Sequence, residues 1–416
     1  MSQSNKVFSE YATRYGKILA ALVLLLKYLR RKINNIYITY LQKYGKVDER
    51  MILFSSTPDY SDNSKALSDY LIINDFCQKF KIYWLIDDVD KSSAVNGNRG
   101  IEFIPRNISS LLSEMPFHTI KVCMTAKYVF STHANRIPKS KGLRNQKYIY
   151  LWHGCGYKEN NKETRNGNLF DVCLVPGPLF VKTKAHFWNI DESKFLPIGY
   201  PRYDWLKNPS PKALDLYLEE KGSCEKLVLW MPTIRNPKHG QFKENSIRDS
   251  PILRNMEEWK SIDEVCRQNK VKIAVKLHPL QKMYDIDFGR LKNIIQISQD
   301  FFSSKGVNMY EFIGLTDGLI SDYSSVAIDY LLVDKPIAFT LDDFESYKNN
   351  RGFVFENPLD YMPGHHLYTL SDLKKYIKEI SDGIDTHAKE RHKMLPIAIH
   401  KSENYCKEIT ERIIVD

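Results

Sequence analysis

The sequence is poor in cysteine and lacks the spacings that build disulfide frameworks. The chain of 416 residues contains seven cysteines, an odd number, with no C-x-x-C pair. They are scattered over the chain, at Cys77, Cys123, Cys155, Cys173, Cys224, Cys266 and Cys406. This pattern argues against a disulfide scaffold and predicts reduced thiols in a cytosolic setting.

Motifs for metal ions and for phosphate-binding loops are missing as well. The 11 histidines include no H-E-x-x-H, and the pairs His365/His366 and His387/His392 lack matching cysteine or carboxylate spacing. No G-x-x-x-x-G-K-[ST] loop occurs either. We therefore expect neither a metal site nor a bound cofactor.

Long hydrophobic runs are absent too. The longest run is ILAALVLLL, the nine residues from Ile18 to Leu26. Nine helical residues rise only about 14 Å, roughly half of a hydrocarbon core, so this run is too short to span a membrane. A secretory signal is not expected, because basic residues follow the run instead of small residues and a cleavage site.

The positive charge is concentrated at the N-terminus. Residues 1–46 contain nine Lys or Arg and one acidic residue, Glu10, and so carry +8 of the total charge of +10. We expect a basic amphipathic helix that lies on an anionic membrane surface. The alternative is a helix that packs on the protein body with a solvated basic side. Nucleic acid is not an expected partner, because the rest of the chain shows no basic stripe with interleaved aromatic residues.

Short β-rich runs alternate with longer mixed segments from residue 50 onward, as parallel α/β layers require. The composition, 43% hydrophobic and 26% charged, is that of a globular chain, and its length suffices for two domains. Strands are predicted at 51–56, 81–87, 101–105, 126–132, 147–153, 172–177, 226–232, 272–279, 293–298, 318–321 and 336–340. The predicted fold is α/β, with two doubly wound Rossmann-like domains that face a cleft.

The domain boundaries follow from this alternation. Residues 1–46 form the basic helical segment, and 47–207 form the first Rossmann-like domain. Residues 208–225 are a linker that leads into a short helix, and 226–385 form the second Rossmann-like domain. A C-terminal helix at 386–416 is expected, and it could pack back on the first domain.

Unusual polar residues fall at the predicted ends of strands, where α/β sheets bind ligands. In HGCGYK, His153 follows a strand, and Gly154 and Gly156 permit a close approach of the backbone to a ligand. Such a histidine could remove a proton from a hydroxyl as a general base, or it could be a partly buried residue satisfied by the backbone. Cys155 has no paired base in the local sequence, so we expect an inert thiol.

Two strand ends in the second half show the same arrangement. His278 and Pro279 end the strand KIAVK, and Thr233 and Arg235 follow WMP. A guanidinium beside a hydroxyl is suited to phosphate oxygens, although an arginine after a strand is often a solvated surface charge.

The stretch TDGLISDYSSVAIDYLLVDKPIAF, at 316–339, places a polar cluster on a strand-to-helix turn. Ser324 and Ser325 stand where helix N-caps belong, so plain capping is one interpretation. The other is that backbone N–H groups, hydroxyls and the helix dipole bind a phosphate there. Asp322 and Asp329 would then organise the turn or accept sugar hydroxyls, since a carboxylate repels phosphate.

Taken together, the ordered motifs resemble those of the CDP-glycerol glycerophosphotransferases, the teichoic-acid primases and polymerases and related capsule enzymes. The motifs are LWHG with Lys158, IGYPRYD (198–204), PTIR, KLHP, the long serine motif, RGFVF (351–355) and YSDNSKAL (60–67). The resemblance covers about residues 50–365.

This resemblance implies a GT-B fold and the transfer of glycerol phosphate, or a related polyol phosphate, from CDP-glycerol or CDP-ribitol. The acceptor would be a lipid-linked saccharide or a growing polymer at the cytoplasmic face of the bacterial plasma membrane, where the protein would be peripheral. By analogy His153 and His278 are catalytic, and His153 deprotonates the acceptor. Substrate-binding roles are implied for Gly154, Lys158, Arg202, Thr233, Arg235, Asp322, Tyr323, Ser324, Ser325 and Asp329.

The sequence departs from the family pattern at Cys155 and Gly156, where Thr or Ser and then Pro are common after His-Gly. One alternative is another GT-B transferase with a cytidine donor, similar to sialyltransferases, which share His-Pro and Ser-Ser motifs. The acidic pair that such an enzyme needs has no convincing match here. A second alternative is a non-enzymatic membrane-bound scaffold.

Overall fold

The computed structural model describes residues 16–87, 100–107, 114–133, 143–158, 170–233, 250–277, 286–298 and 300–415. These residues divide into two compact units. The first holds the described residues of 16–153 together with 170–173 and 414–415, and the second holds 154–158 and those of 174–413. The predicted domain boundaries stay predictions.

The described residues form thirteen strands in two sheets. The strands are β1 (Asp48–Ser55), β2 (Lys81–Ile86), β3 (Ile101–Pro105), β4 (Ala126–Ser131), β5 (Lys147–Tyr150), β6 (Val172–Leu174), β7 (Phe195–Leu196), β8 (Lys226–Trp230), β9 (Val271–Lys276), β10 (Ile294–Ile297), β11 (Gly318–Ser321), β12 (Ile337–Thr340) and β13 (His365–Leu367).

The first sheet has seven strands in the order β3-β2-β1-β4-β5-β6-β7, and the pairs from β3 to β6 are parallel. Its central strand β1 is buried over its last five residues, the pattern expected of a parallel strand covered on both faces. Leu53, Leu85 and Val129 form part of the core on one face. The carboxyl ends of β1, β4 and β5 are therefore neighbours.

The sheet of the second unit has the order β10-β9-β8-β11-β12-β13, again with parallel pairs. Trp230 of β8 stacks on Trp259, with ring centroids 5.5 Å apart, in the core on one side of this sheet. Strands β9, β8 and β11 are adjacent, so their carboxyl ends also meet at one edge.

The helices alternate with the strands along the chain. They are α1 (Lys17–Tyr44), α2 (Asp62–Ile73), α3 (Phe117–Thr125), α4 (Leu179–Trp188), α5 (Tyr203–Lys207), α6 (Pro211–Lys221), α7 (Met256–Gln268), α8 (Phe301–Ser304), α9 (Met309–Leu315), α10 (Val326–Asp329), α11 (Phe344–Asn350), α12 (Leu370–Ser381), α13 (Ala388–Ala398) and α14 (Tyr405–Thr410). A helix was expected within 208–225, and α6 begins there with Ser210 as N-cap, its side chain accepting from Ala213 N–H, and with Pro211 in the first turn.

The predicted N-terminal helix is present as α1, which packs on the first unit with one side only. Ala20, Val23 and Leu41 are buried, and Leu41 joins a small core with Ile120 and Met124 of α3. Among the described residues, no helix has both the length and the apolar content that crossing a membrane requires.

The structure differs from several of the local predictions. Strand β5 ends at Tyr150 rather than at 153, because Trp152 adopts a left-handed backbone with φ 55°. The strand-to-helix turn predicted at the serine motif is present, although α10 has only four residues and gives way to a 3-10 turn at Tyr330–Leu332. Strands β7 and β13 were missed, since two and three residues are too few to show a periodicity.

Candidate active site

His153 lies just beyond β5, exposed at the carboxyl edge of the first sheet. Its Nδ1 is 3.2 Å from the carbonyl oxygen of Thr132, which follows the neighbouring strand β4. A carbonyl only accepts, so Nδ1 carries the proton in the neutral ring and Nε2 carries the lone pair. The ring also stacks parallel to His133, at 4.5 Å between centroids and 2° between planes. This geometry can present Nε2 as a proton acceptor.

The second unit brings two predicted site residues together at the ends of the adjacent strands β8 and β11. Thr233 follows β8, and Asp322 follows β11. The buried Asp322 accepts a hydrogen bond from the Thr233 N–H at 2.7 Å and another from its hydroxyl. Asp322 therefore fixes Thr233 rather than facing a phosphate. Arg235 and His278, predicted beyond β8 and β9, lie outside the described residues.

The glycines of HGCG pack directly on the serine motif within the second unit. A Cβ atom added to Gly154 would lie 2.5 Å from Ser325 Oγ, and one added to Gly156 would lie 2.8 Å from the Ser325 backbone nitrogen. Gly154 also has φ 129°, which L side chains rarely adopt. These glycines thus allow the backbone to pack closely against the serine turn, and their expected approach to a ligand stays a prediction.

Ser325 precedes α10 but makes no capping hydrogen bond with its side chain. Plain capping, one of the two interpretations of this turn, is therefore wrong for Ser325. Both Ser324 and Ser325 are partly exposed. A helix of four residues also has little macrodipole, so anion binding at this turn, which stays a prediction, would depend on its hydroxyls and backbone N–H groups.

Asp329 is the centre of a buried polar cluster. It is fully buried and accepts from Arg202 Nη2 at 2.6 Å, Tyr203 OH at 2.6 Å and Tyr310 OH at 2.8 Å. Burial, together with the Asp329 carboxylate, raises the pKa of Tyr203 well above its usual value, so this phenol remains a donor. The guanidinium of Arg202 also lies over the ring of Tyr310, 4.4 Å from its centroid. Arg202 and Asp329 thereby join the motif IGYPRYD to the serine motif.

Tyr323 and Lys158 connect the same region to RGFVF. The buried Tyr323 donates to Asp343 Oδ1 at 2.8 Å and contacts the ring of Phe353. Lys158 forms an antiparallel bridge with Phe353. Because Tyr323, Arg202, Asp322 and Asp329 are buried, their contacts support positioning roles, and their predicted contact with substrate stays a prediction.

Cys155 is buried between these motifs and lies 3.3 Å from the hydroxyl of Tyr200. Burial raises the pKa of the Cys155 thiol above its usual value. A buried, protonated thiol is a poor nucleophile, in keeping with the inert role expected from the sequence.

Sequence reasoning missed several contributors to the two strand-end regions. Tyr203 and Tyr310 donate to Asp329, and His133 stacks on His153. Lys276 ends β9, and burial lowers the pKa of its ammonium group. Tyr203 and Lys276 lie inside motifs that the sequence singled out, IGYPRYD and KLHP, whereas Tyr310 and His133 carry no local signal.

The described ranges contain no group of three or more His, Cys, Asp or Glu side chains that could hold a metal ion. Open parallel α/β sheets bind ligands beyond the carboxyl ends of their strands, and the hydroxyls, imidazole and glycines described above lie at such ends.

The chain belongs to the CDP-Glycerol:Poly(glycerophosphate) glycerophosphotransferase family, whose sequence pattern matches residues 37–401. The teichoic acid poly(glycerol phosphate) polymerase of Bacillus spizizenii is 26% identical over 344 residues, which cover 74% of this chain and 78% of the relative. The teichoic acid ribitol-phosphate primase of the same organism is 26% identical over 59% of this chain and 63% of its own length. A solved structure of the wall teichoic acid polymerase TagF matches with a TM-score of 0.71 and 19% identity, over 100% of this chain and 98% of that one.

These comparisons confirm the family that the motifs indicated and the α/β fold class. The predicted enzyme class, a CDP-glycerol glycerophosphotransferase, is confirmed as well, and CDP-glycerol is the donor that the family description names. The sialyltransferase-like and scaffold alternatives receive no support from this match.

Proposed function

We propose that this protein transfers glycerol phosphate from CDP-glycerol to a hydroxyl of a lipid-linked saccharide or growing polymer in the synthesis of a cell-surface polymer of the teichoic-acid type. The observation that carries the proposal is the packing of Gly154 and Gly156 against the serine turn of the second unit. Motifs separated by about 170 residues of sequence meet there. Such a close approach, at a turn with hydroxyl and backbone donors, supports binding of a diphosphate.

The proposed reaction is an in-line substitution at the β-phosphorus of CDP-glycerol. The acceptor oxygen forms a bond to this phosphorus, the bond from the phosphorus to the bridging oxygen breaks, and CMP leaves with the electron pair. The proton of the acceptor hydroxyl moves to His153 Nε2 and later to water. The hydrogen bond from Nδ1 to Thr132 supports this role, because it keeps the lone pair on Nε2.

In this proposal, fixed hydrogen-bond donors of the protein bind the phosphates of CDP-glycerol. Ser324, Ser325 and Thr233 supply hydroxyls, and the neighbouring backbone supplies N–H groups, to the negative charge that develops on the leaving phosphate. Lys158, with Arg235 and His278 from outside the described residues, would add positive charge. We assign no resident metal to this chemistry.

The test is the release of CMP from CDP-glycerol or CDP-ribitol in the presence of lipid-linked acceptors. We expect the wild type to release CMP only when an acceptor is present, and His153→Ala to reduce turnover by at least about 100-fold, the scale of general-base catalysis. Binding of CDP-glycerol, measured by calorimetry, should change little. His118→Ala is the matched control, since His118 is an exposed histidine of the same unit.

Two results would contradict the proposal. Turnover by His153→Ala at the wild-type rate would remove His153 as the base. Binding of CDP-glycerol by the wild type, with no CMP release for any acceptor, would favour the scaffold alternative instead.

We further propose that α1 attaches the protein peripherally to the anionic cytoplasmic face of the bacterial plasma membrane. An apolar stripe runs along its outer side with helical spacings of three and four, and its members are between 47% and 82% exposed. The stripe consists of Ile18, Leu22, Leu25, Leu29, Ile33, Ile36 and Tyr40. An exposed stripe of this length on a basic helix fits the lipid interface.

Two of the basic residues have another role. Arg31 forms an ion pair with Glu114 at 3.1 Å, and Arg30 lies over the ring of Phe117 at 3.9 Å. These contacts fix α1 to the first unit, so the packing expected in the alternative interpretation also occurs, on the other side of the helix. The remaining cations, among them Lys32 and Lys43, are the ones proposed to meet anionic headgroups.

Sedimentation with phosphatidylglycerol vesicles tests this attachment. The double substitution Leu25→Glu/Ile36→Glu should release the protein into the supernatant. In the wild type both apolar side chains would be inserted into the acyl region, and a charged glutamate at these positions would oppose that insertion. Leu214→Glu/Leu218→Glu on α6 is the matched control, since these leucines are also about half exposed. Equal sedimentation of both variants with the wild type would reject the anchor.

A further inference from the structure

The backbone that precedes His153 has an unusual conformation. The Leu151 N–H still donates to the Ser131 carbonyl at 2.8 Å, so Leu151 continues the sheet beyond β5. Trp152 then adopts a left-handed backbone with φ 55°, a conformation that is strained for a bulky residue. Its indole is 5% exposed and packs edge-on against Tyr150. The chain thus turns sharply at the residue before His153.

One side chain holds this turn. Asn63 is fully buried, and its Nδ2 lies 2.9 Å from the Trp152 carbonyl oxygen and 3.3 Å from that of Leu151. Both acceptors are carbonyls, so the atom that faces them must be the amide NH₂ with its two hydrogens. Carbonyls of consecutive residues point in opposite directions in an extended strand, and it is the left-handed turn that brings these two to one donor.

Asn63 is itself held on a rigid support. It lies in the first turn of α2, the next helix or strand along the chain after β1. The Ser64 hydroxyl donates to the Ser55 carbonyl at 2.8 Å, and the Trp84 indole donates to Ser68 Oγ at 2.9 Å. These bonds tie α2 to the first two strands of the sheet, so the amide has little freedom to move.

We propose that Asn63 is a positioning residue for the transfer reaction: it clamps the Leu151–Trp152 turn and thereby sets the direction in which His153 presents Nε2. The inference rests on the proposed role of His153 as the base. It gives a physical reason for the asparagine in YSDNSKAL, a motif whose resemblance to the family left its role open. Asn63 acts through the backbone and touches neither substrate.

Two variants of Asn63 test the clamp. Asn63→Asp keeps the shape but replaces the NH₂ group, with its two N–H donors, by a carboxylate oxygen that repels both carbonyls, and Asn63→Ala removes the group without adding charge. We expect each to lower kcat for CMP release roughly 10- to 100-fold, as misplacement of a reacting group by about 1 Å does. The KM for CDP-glycerol should stay within about twofold. Asn74→Asp is the matched control, because Asn74 flanks the other end of α2 and also donates to a backbone carbonyl.

A double-mutant cycle separates positioning from general damage. If Asn63 acts through His153, Asn63→Ala should cause no further loss in a His153→Ala background. An equal loss in both backgrounds, or wild-type kcat in both single variants, would overturn the proposal. Failure of both single variants to fold would also overturn it, since Asn63 would then be a folding residue.

A readout without turnover distinguishes this proposal from the proposed function. The ¹⁵N chemical shifts of the His153 ring report which nitrogen carries the proton, and its pKa follows from their pH dependence. We expect Asn63→Ala to change the His153 signals, while those of His118 stay unchanged. Unchanged His153 signals would reject the clamp even in an active enzyme. Absence of transfer by the wild type, with altered signals in the variant, would reject the function and leave the clamp in place.

Discussion

Substitution of Gly156 offers the sharpest test of whether the serine turn binds CDP-glycerol, because a single methyl group added there would contact the backbone of Ser324 and Ser325. The Cβ of Gly156→Ala would lie 2.8 Å from the Ser325 nitrogen, 3.0 Å from its Cα and 3.2 Å from the Ser324 carbonyl carbon. Gly156 has no positive φ, so the substitution adds crowding without backbone strain of its own. The second unit must therefore yield at this contact.

The size of the effect follows from these distances. Ordinary van der Waals contact begins near 3.4 Å, so the serine turn must retreat by about 0.6 Å. Overpacking of this kind costs about 1–3 kcal/mol of stability. A displaced turn also misaligns the donors for the leaving phosphate, and displacements approaching 1 Å lower rates by up to roughly 100-fold. We expect weaker binding of CDP-glycerol and slower CMP release together.

The assay is calorimetric titration with CDP-glycerol, followed by CMP release with a saturating acceptor. Gly289→Ala is the control: Gly289 also lacks a positive φ, and the neighbour that its Cβ would meet is a carboxylate oxygen of Asp287 at 3.1 Å. We expect the control to match the wild type. Wild-type affinity and turnover in Gly156→Ala would refute the assignment of the serine turn to the donor.

Two further predictions concern buried charge. Asp329→Asn should lower the free energy of unfolding of the second unit, measured in urea, by about 3–5 kcal/mol, because it leaves the buried Arg202 guanidinium without a counter-charge. Glu264→Gln is the control, since Glu264 belongs to an exposed ion pair, and it should leave the midpoint of the urea transition unchanged. Burial lowers the pKa of His365 below its usual 6.5, and the neighbouring His387 lowers it further. As the pH falls, His365 is therefore protonated at a higher pH in the unfolded chain than in the folded protein. This contribution to stability is intact above about pH 6.5 and is lost as the pH falls toward the lower folded pKa. His365→Asn should therefore lose less stability than the wild type between about pH 7.5 and 5.5, and equal losses would contradict the assignment.

The sheets were predictable from the sequence because buried parallel strands read as short apolar runs. Strands β3 and β11 begin and end where the sequence predicted, at Ile101–Pro105 and Gly318–Ser321. Errors arose where a contact distant in sequence overrides the local pattern. Asn63, 89 residues before Trp152, donates a hydrogen bond to the Trp152 carbonyl, and no periodicity around β5 reveals that turn.

The candidate site was predictable in its residue types and less so in their roles. Hydroxyls and glycines that follow predicted strands indicate a ligand-binding region without knowledge of their tertiary contacts. Ser324, Ser325 and Gly156 could therefore be found from sequence alone. The pairing of Arg202 could not be predicted, because the sequence does not show which carboxylate, if any, an arginine contacts. Its burial against Asp329 and Tyr310 comes from tertiary packing.

The contacts of the carboxylates in the serine motif explain how acidic residues can lie beside the proposed diphosphate site. Asp322 is fully buried and accepts from Thr233, and Asp329 is fully buried and accepts three hydrogen bonds, one of them from a guanidinium. Their charge is thus engaged inside the protein, where it orders the turn instead of repelling a ligand. The same pairing commits Arg202 to Asp329. We therefore expect charge neutralisation of a diphosphate to come mainly from cations other than Arg202, and we expect substitution of Arg202 to reduce stability before it reduces affinity for CDP-glycerol.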